Sequence, residues 1–224
     1  MDFSGYWVSL VTEDWRNRML TPDKGDYDSL PLNGEGRRIA DAWDPDKDVA
    51  DGQECKSYGA AAIMRVPTRL HISWENDTTL KVETDAGMQT REFHFGGDPT
   101  GAAPSLQGYS VANWEGLSRP AFGQLPTVAT GRGTPGDTVK AGYMKVVTTQ
   151  MSSGYLRKNG VPYSAKTVLE EYYETFTEPN GDKYLVVTTV VNDPVYLFSP
   201  FITSTHFRKI PDGAGWNPTP CEAK

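Results

Sequence analysis

Apolar and polar residues alternate with a period of two along most of this chain, and that period predicts strands. From Thr68 to Glu75, Leu70, Ile72 and Trp74 fall on one side and Arg69, His71 and Ser73 on the other. Successive strand side chains point to opposite faces, so one set can be dry while the other is wet. Asn76-Asp77 then turns the chain into Leu80 to Thr84, and Asp85-Ala86-Gly87 turns it again into Gln89 to Phe95, which reads as a three-stranded meander. The second half repeats the pattern in longer segments: Gly142 to Met151, Thr167 to Phe176, Tyr184 to Val191 and Ile202 to Lys209. Glu178-Pro179-Asn180-Gly181 has the chemistry of a tight turn, and Asp193-Pro194 bends the chain before the last strand. With Gly5 to Val11 the total is about eight to nine strands, which predicts an all-β, antiparallel barrel or sandwich. A barrel of about eight strands can hold one small ligand inside.

Helical signal is scarce. Asn33 to Trp43 predicts one short helix, with Asn33 as N-cap and Gly34 and Gly36 weakening it. The stretch 117–139 is rich in Gly, Pro and Thr and shows little period. A loop this long is usually functional or disordered, so it reads as either a lid or a mobile insertion.

At 224 residues the chain suits a single β-barrel domain, 1–224. Its net charge of −7 argues against nucleic acid and anionic membrane surfaces, since scattered acidic residues cannot neutralise phosphates. No run approaches the ~20 apolar residues of a membrane span. Met1 is followed at once by a strand-like segment, so either the protein is cytoplasmic or a leader has been removed. Nothing in the pattern fixes an oligomeric state. Of the two cysteines, Cys55 and Cys221, the second sits in the proline-rich tail Asn217-Pro218-Thr219-Pro220-Cys221. A disulfide holding that tail down is expected, with two free thiols as the alternative, and it would imply an oxidising compartment.

Sequence motifs remove most enzyme classes. Gly131-Arg132-Gly133-Thr134-Pro135-Gly136 matches a dinucleotide-binding string but lacks the strand and helix that give it meaning. Asn76-Asp77-Thr78 is a formal glycosylation sequon in a tight turn and reads as chance. His71, His94 and His206 are isolated in sequence, so no metal site and no cofactor is expected. The densest polar chemistry lies between Met151 and Phe176. Tyr155, Arg157 and Tyr163 sit among glycines, and alternation sends either Glu170 with Tyr172, or Glu171 with Tyr173, into the barrel. A buried carboxylate needs a partner or a raised pKa, so this cluster is either a structural network or an acid/base pair. His206, on the closing strand, suits proton transfer near neutral pH.

The residues Ser4, Gly5 and Trp7, Pro31-Leu32-Asn33-Gly34-Glu35-Gly36-Arg37, and Cys55 with Tyr58-Gly59-Ala60 and Ile63-Met64-Arg65 also carry a resemblance. So do Ser110 to Gly116, Gly154-Tyr155-Leu156-Arg157, Glu170, and Asp193-Pro194 with Tyr196 and Pro200. Over nearly its whole length the chain resembles a group of secreted bacterial lipocalin-like (calycin-type) β-barrel proteins without a settled activity. The resemblance implies a periplasmic or secreted protein and names no chemistry. Members pass directly from the Trp-Glu-Gly segment into a strand, whereas this chain inserts its long loop there.

The expected function is that of a cofactor-independent acid/base enzyme, a lyase, isomerase or hydrolase. Its substrate would be a mainly apolar or aromatic small molecule held inside the barrel; the alternative is a carrier that leaves it unchanged. Tyr155, Arg157, Tyr163, Glu170 and His206 are the candidate catalytic residues. Arg65, His71, Trp74, His94, Tyr172 and Tyr196 are the candidate ligand-binding residues.

Overall fold

The structure, a computed structural model, describes residues 1–116 and 142–224. The expectation of a lid at 117–139 lies outside the described residues. Eleven strands are present among them: β1 (Gly5–Leu10), β2 (Arg69–Asn76), β3 (Thr79–Thr84), β4 (Thr90–Phe95), β5 (Tyr109–Gly116), β6 (Gly142–Thr149), β7 (Gly154–Arg157), β8 (Val161–Tyr163), β9 (Val168–Thr177), β10 (Lys183–Asn192) and β11 (Phe201–Ile210). Nine close into a barrel in the order β1-β11-β10-β9-β6-β5-β4-β3-β2, while β7 and β8 pair as a separate hairpin. The all-β barrel read from the alternation is therefore what forms. One pairing departs from it: β4 and β5 run parallel, because residues 96–108 carry the chain back before β5 begins.

The buried residues of most barrel strands fall on alternate positions, while β1 buries Trp7 alone. Leu70 and Ile72 of β2, Leu80 and Val82 of β3, Val146 of β6, Leu185 and Val187 of β10 and Phe207 of β11 are all at most 1% exposed. They join Trp7, Phe93, Met144 and Tyr173 in one contiguous cluster that draws on every barrel strand. Fully burying a large apolar side chain is worth about 1.5–3 kcal/mol, so this interior carries much of the fold. Trp7 keeps its polar atom satisfied by donating from Nε1 to the Phe3 carbonyl at 2.8 Å.

One ion pair lies within that interior. Arg91 and Glu171 are completely buried and meet in a fork, Nη1 to Oε1 at 2.9 Å and Nη2 to Oε2 at 2.5 Å. The Tyr173 hydroxyl donates to Glu171 Oε1 at 3.3 Å, and Arg91 Nη2 reaches Thr148 Oγ1, itself 2.7 Å from Ser110 Oγ. Burial works against the Arg91 charge, but the adjoining carboxylate outweighs it and raises the arginine pKa. Alternation thus turns Glu171 and Tyr173 inward and leaves Glu170 and Tyr172 outside.

The other elements gather at the barrel end where β2 begins and β10 finishes. They are α1 (Trp15–Met19), α2 (Gly34–Asp41), α3 (Pro45–Ala50), a 3-10 turn (Glu54–Tyr58), α4 (Ala60–Ile63) and the β7–β8 hairpin. The helix expected after Asn33 is α2, whose N-cap Asn33 accepts from the Gly36 amide at 2.9 Å. The other helices are one or two turns long, too short to leave a 3.6-residue period in the sequence. This cap has its own core, in which Leu30, Leu32, Ala40, Ala60, Ala61, Leu156, Val161 and Tyr163 pack on Leu169, Val191 and Phe201 from the barrel. Gly160 turns the hairpin at φ +81°, and an added Cβ there would lie 2.1 Å from the Trp43 ring. Cys55 and Cys221 are bonded and fasten the C-terminal tail to the cap, as the proline-rich tail suggested.

Candidate functional site

Three buried guanidinium groups converge where the cap meets the barrel. The first comes from α1. Asp14, at φ +47°, turns the chain into this helix without capping it, since its carboxylate points instead to Arg65 and Asn17. A non-glycine residue in that region is strained and persists only when its surroundings hold it. Arg18, one helical turn on, donates from Nε to the Arg65 carbonyl at 2.8 Å and from Nη2 to Ser9 Oγ at 3.1 Å. Its Nη1 pairs with Glu13.

Arg65 follows α4, whose alanines let the helix sit deep in the cap. Its guanidinium pairs with Asp14 and lies over the Phe201 ring, 5.4 Å from the centroid. Arg157 ends β7, and its side chain is 4% exposed. It reaches the Asp28 carbonyl and Ser29 Oγ at 3.3 Å, and the Asp14 carboxylate only at 3.7 Å. Burial holds the pKa of both Arg18 and Arg157 below the usual arginine value, against the pull of Glu13 and Asp14 respectively.

All three arginines line a cleft of about 360 Å³. Met19, Leu20, Val66, Pro67 and Leu156 give it apolar walls, while Asn17, Ser57 and Lys158 add polar atoms. Thr219, Pro220 and Glu222 close one side, so the disulfide-fastened tail is part of the wall. Thr219 is held there by its amide, which donates to the Asp85 carbonyl at 2.9 Å. A concave space that joins apolar walls to convergent polar groups, here in nearly equal measure, can hold a small molecule.

Of the residues selected from sequence, Arg65 and Arg157 line this cleft. The others are dispersed, so the expected cavity-lining cluster of five does not form. Tyr155 donates to the buried Asp48 at 2.8 Å, beside Lys56 and Trp43; burial and that carboxylate raise its pKa. Tyr163 is buried in the cap core, with no hydrogen-bond partner among the described residues, and burial raises its pKa too. Glu170 lies on the barrel's outer face, bonded to Lys145 and the Tyr172 hydroxyl at 2.9 Å, and those two bonds lower its pKa.

The three histidines are also on outer faces. His206 sits 2.9 Å from Thr12 Oγ1 and 3.2 Å from Glu13, neither of which lines the cleft, and it is linked to it only through Glu13 and that residue's partner Arg18. His71 meets Glu83 at 3.0 Å and stacks on Tyr6, and His94 stacks on Tyr109. Among the described residues no group of three or more His, Cys, Asp or Glu is placed to hold a metal ion. Trp74 is 44% exposed, near the turn at the other end of the barrel. Tyr196 acts through its backbone, donating to Asp193 at 3.0 Å and accepting from Asn33.

Sequence reasoning missed Glu13, Asp14, Arg18 and Arg91, the buried partner of Glu171. The run Glu13-Asp14-Trp15-Arg16-Asn17-Arg18 did carry a signal, a cluster of both charges and an aromatic directly after a strand. No protein-family model, no curated protein and no solved structure matches the chain. Among the described residues, no helix is long and apolar enough to cross a membrane.

Proposed function

We propose that this chain binds a small organic molecule in the cleft between barrel and cap. The observation that carries this reading is convergence. Arg18, Arg65, Arg157 and the 219–222 tail come from distant parts of the sequence, yet they line one concave space. Its volume of about 360 Å³ falls in the range of small-molecule sites. The apolar walls suit a mainly apolar or aromatic body, which is the ligand class expected from the sequence.

Binding without turnover is better supported than acid/base catalysis. A general acid or base must reach the reacting atoms, and of the five candidate catalytic residues only Arg157 lines the cleft. Arginine stays protonated and orients or stabilises charge rather than shuttling protons. The closed barrel agrees with the lipocalin-like group that the sequence resembles, and a disulfide suits the periplasmic or secreted setting which that group implies.

Ligand-observed NMR with a library of small aromatic and aliphatic molecules tests the reading. Thr21 is exposed on the cleft rim, so Thr21→Trp obstructs the cleft while leaving both cores alone. Hits should disappear in that variant with the melting temperature unchanged. Hits that persist in it would place the ligand elsewhere, and formation of a product would restore the enzymatic reading.

A further inference from the structure

We infer that the ligand of this cleft carries a carboxylate, and that Arg157, with Arg65 beside it, is the group that reads it. The inference rests on the cleft being the binding site and adds the ligand's charge.

Arg18 is neutralised by Glu13, and Arg65 by Asp14. Lys158 stands 3.8 Å from Glu222 at the rim. Arg157 is left with a share of Asp14, at 3.7 Å from the oxygen that already serves Arg65. Asp26 and Asp28 pull on it from a distance, but neither forms an ion pair with it among the described residues, and Asp28 offers only its carbonyl. Four cations thus face three carboxylates, and the least compensated cation is also among the most buried. A buried charge gains most from a close, hydrogen-bonded partner, and Arg157 is the cation here with most to gain from an added anion.

The donor set indicates which anion. Arg65 gives one N–H to Asp14, and its remaining donors have no protein partner among the described residues. Arg157 makes only long bonds, at 3.3 Å, to neutral oxygens. Planar guanidinium forks match the two oxygens of a carboxylate, and such charge-assisted bonds are stronger than neutral ones. A carboxylate brings one charge, matching the one cation without a close partner of its own, whereas a phosphate monoester would bring nearly two. The apolar walls formed by Leu20, Val66 and Leu156 then take the body of the molecule.

The test uses the intact, oxidised protein and matched probe pairs: aryl and alkyl carboxylic acids, each with its primary amide. Phenyl phosphate and inorganic phosphate are added as separate arms. Affinities are measured by ¹⁹F NMR or calorimetry. Acids should bind about ten- to a hundredfold more tightly than their amides, the size expected for a hydrogen bond to a charged group. Arg157→Gln should erase that preference, and Arg157→Lys, which keeps the charge but loses the fork, should retain part of it. Circular dichroism checks the fold of each variant, and the Lys variant keeps the test decisive if the Gln variant unfolds. Acids and amides binding alike would overturn the inference while leaving the cleft as the binding site. Phenyl phosphate binding more tightly than the acids would overturn it in favour of a phosphate ligand. If no organic probe binds, the cleft reading fails and takes the inference with it.

Discussion

Reducing the Cys55–Cys221 disulfide should weaken both the fold and the cleft, for one structural reason. The bond joins residues 166 apart in sequence. In the chain-entropy model a loop of that length restrains the unfolded chain by roughly 5 kcal/mol, an upper figure that native proteins rarely reach in full. At about 2–4 °C per kcal/mol for a chain of this size, loss of the bond should lower Tm by up to roughly 10–20 °C. The effect is also local. The tail touches the body through the Thr219 amide on the Asp85 carbonyl, the Asn217 amide on Asp85, and the Glu222 amide on the Tyr58 hydroxyl. Trp216 against Tyr6 and His71 and the buried Ala223 add apolar contact, but the tail forms no barrel strand, and segments outside the sheet open before it. Hydrogen exchange on oxidised protein and on the Cys55→Ala, Cys221→Ala double variant separates the two effects. The Thr219 amide should lose protection by more than the global loss of stability accounts for, while Val187 and Phe207 in the barrel follow the global change. Ligand affinity should fall with it, because Thr219, Pro220 and Glu222 form one wall of the cleft. Two titratable thiols in denatured, unreduced protein would refute the bond itself. Equal protection of Thr219 in the two proteins would refute the fastening role.

Removing Glu171 or Arg91 alone strands a buried charge, so Glu171→Leu and Arg91→Met should each cost about 3–5 kcal/mol by urea denaturation. The double variant should cost much less than their sum, and strict additivity would show that the pair is not coupled. Tyr163→Phe removes a buried hydroxyl without a partner among the described residues, so it should be neutral or stabilising by up to about 1 kcal/mol; a clear loss of stability or of ligand binding would reveal a role for that hydroxyl. The Asp14 pKa falls below its ordinary 3.8, because the bonds from Arg65 and Asn17 outweigh the opposing effect of burial. A lowered carboxylate pKa stabilises the fold above the ordinary value, and that contribution is lost as pH falls through the folded-state value. Asp14→Asn should therefore be less stable than wild type at neutral pH and show a shallower loss of stability on acidification; parallel curves would contradict this.

The strands were legible because their buried faces are aliphatic. The segments from Gly5, Thr68, Leu80, Gln89, Gly142, Thr167, Tyr184 and Ile202 all became barrel strands within a few residues of their expected limits. β5 was not legible, because its inward positions Ser110 and Ala112 are small and polar or weakly apolar, and Trp114 on the same face lies half-exposed at the barrel end, stacked on Phe3 and Phe95, so no hydrophobic run marks the buried side. The parallel pairing of β4 with β5 could not be read either, since alternation is blind to strand direction. The choice between Glu170 and Glu171 was a question of phase. It is settled by Arg91, which sits 80 residues away and meets Glu171 across the interior. Arg65 and Arg157 could be singled out as chemistry-bearing residues, but not as neighbours. Their meeting depends on α4 and β7 packing into one cap, and nothing local in either segment encodes that contact.

The ligand is expected between the cap and the barrel, outside the barrel's packed interior. A crystal structure of the oxidised protein with the tightest carboxylate from the probe series tests that claim most directly. Density for the ligand is predicted in the cleft, with its carboxylate within hydrogen-bonding distance of Arg157 and Arg65 and its body against Leu20, Val66 and Leu156. Density inside the barrel, against Arg91 and Glu171, with the cleft empty would contradict it.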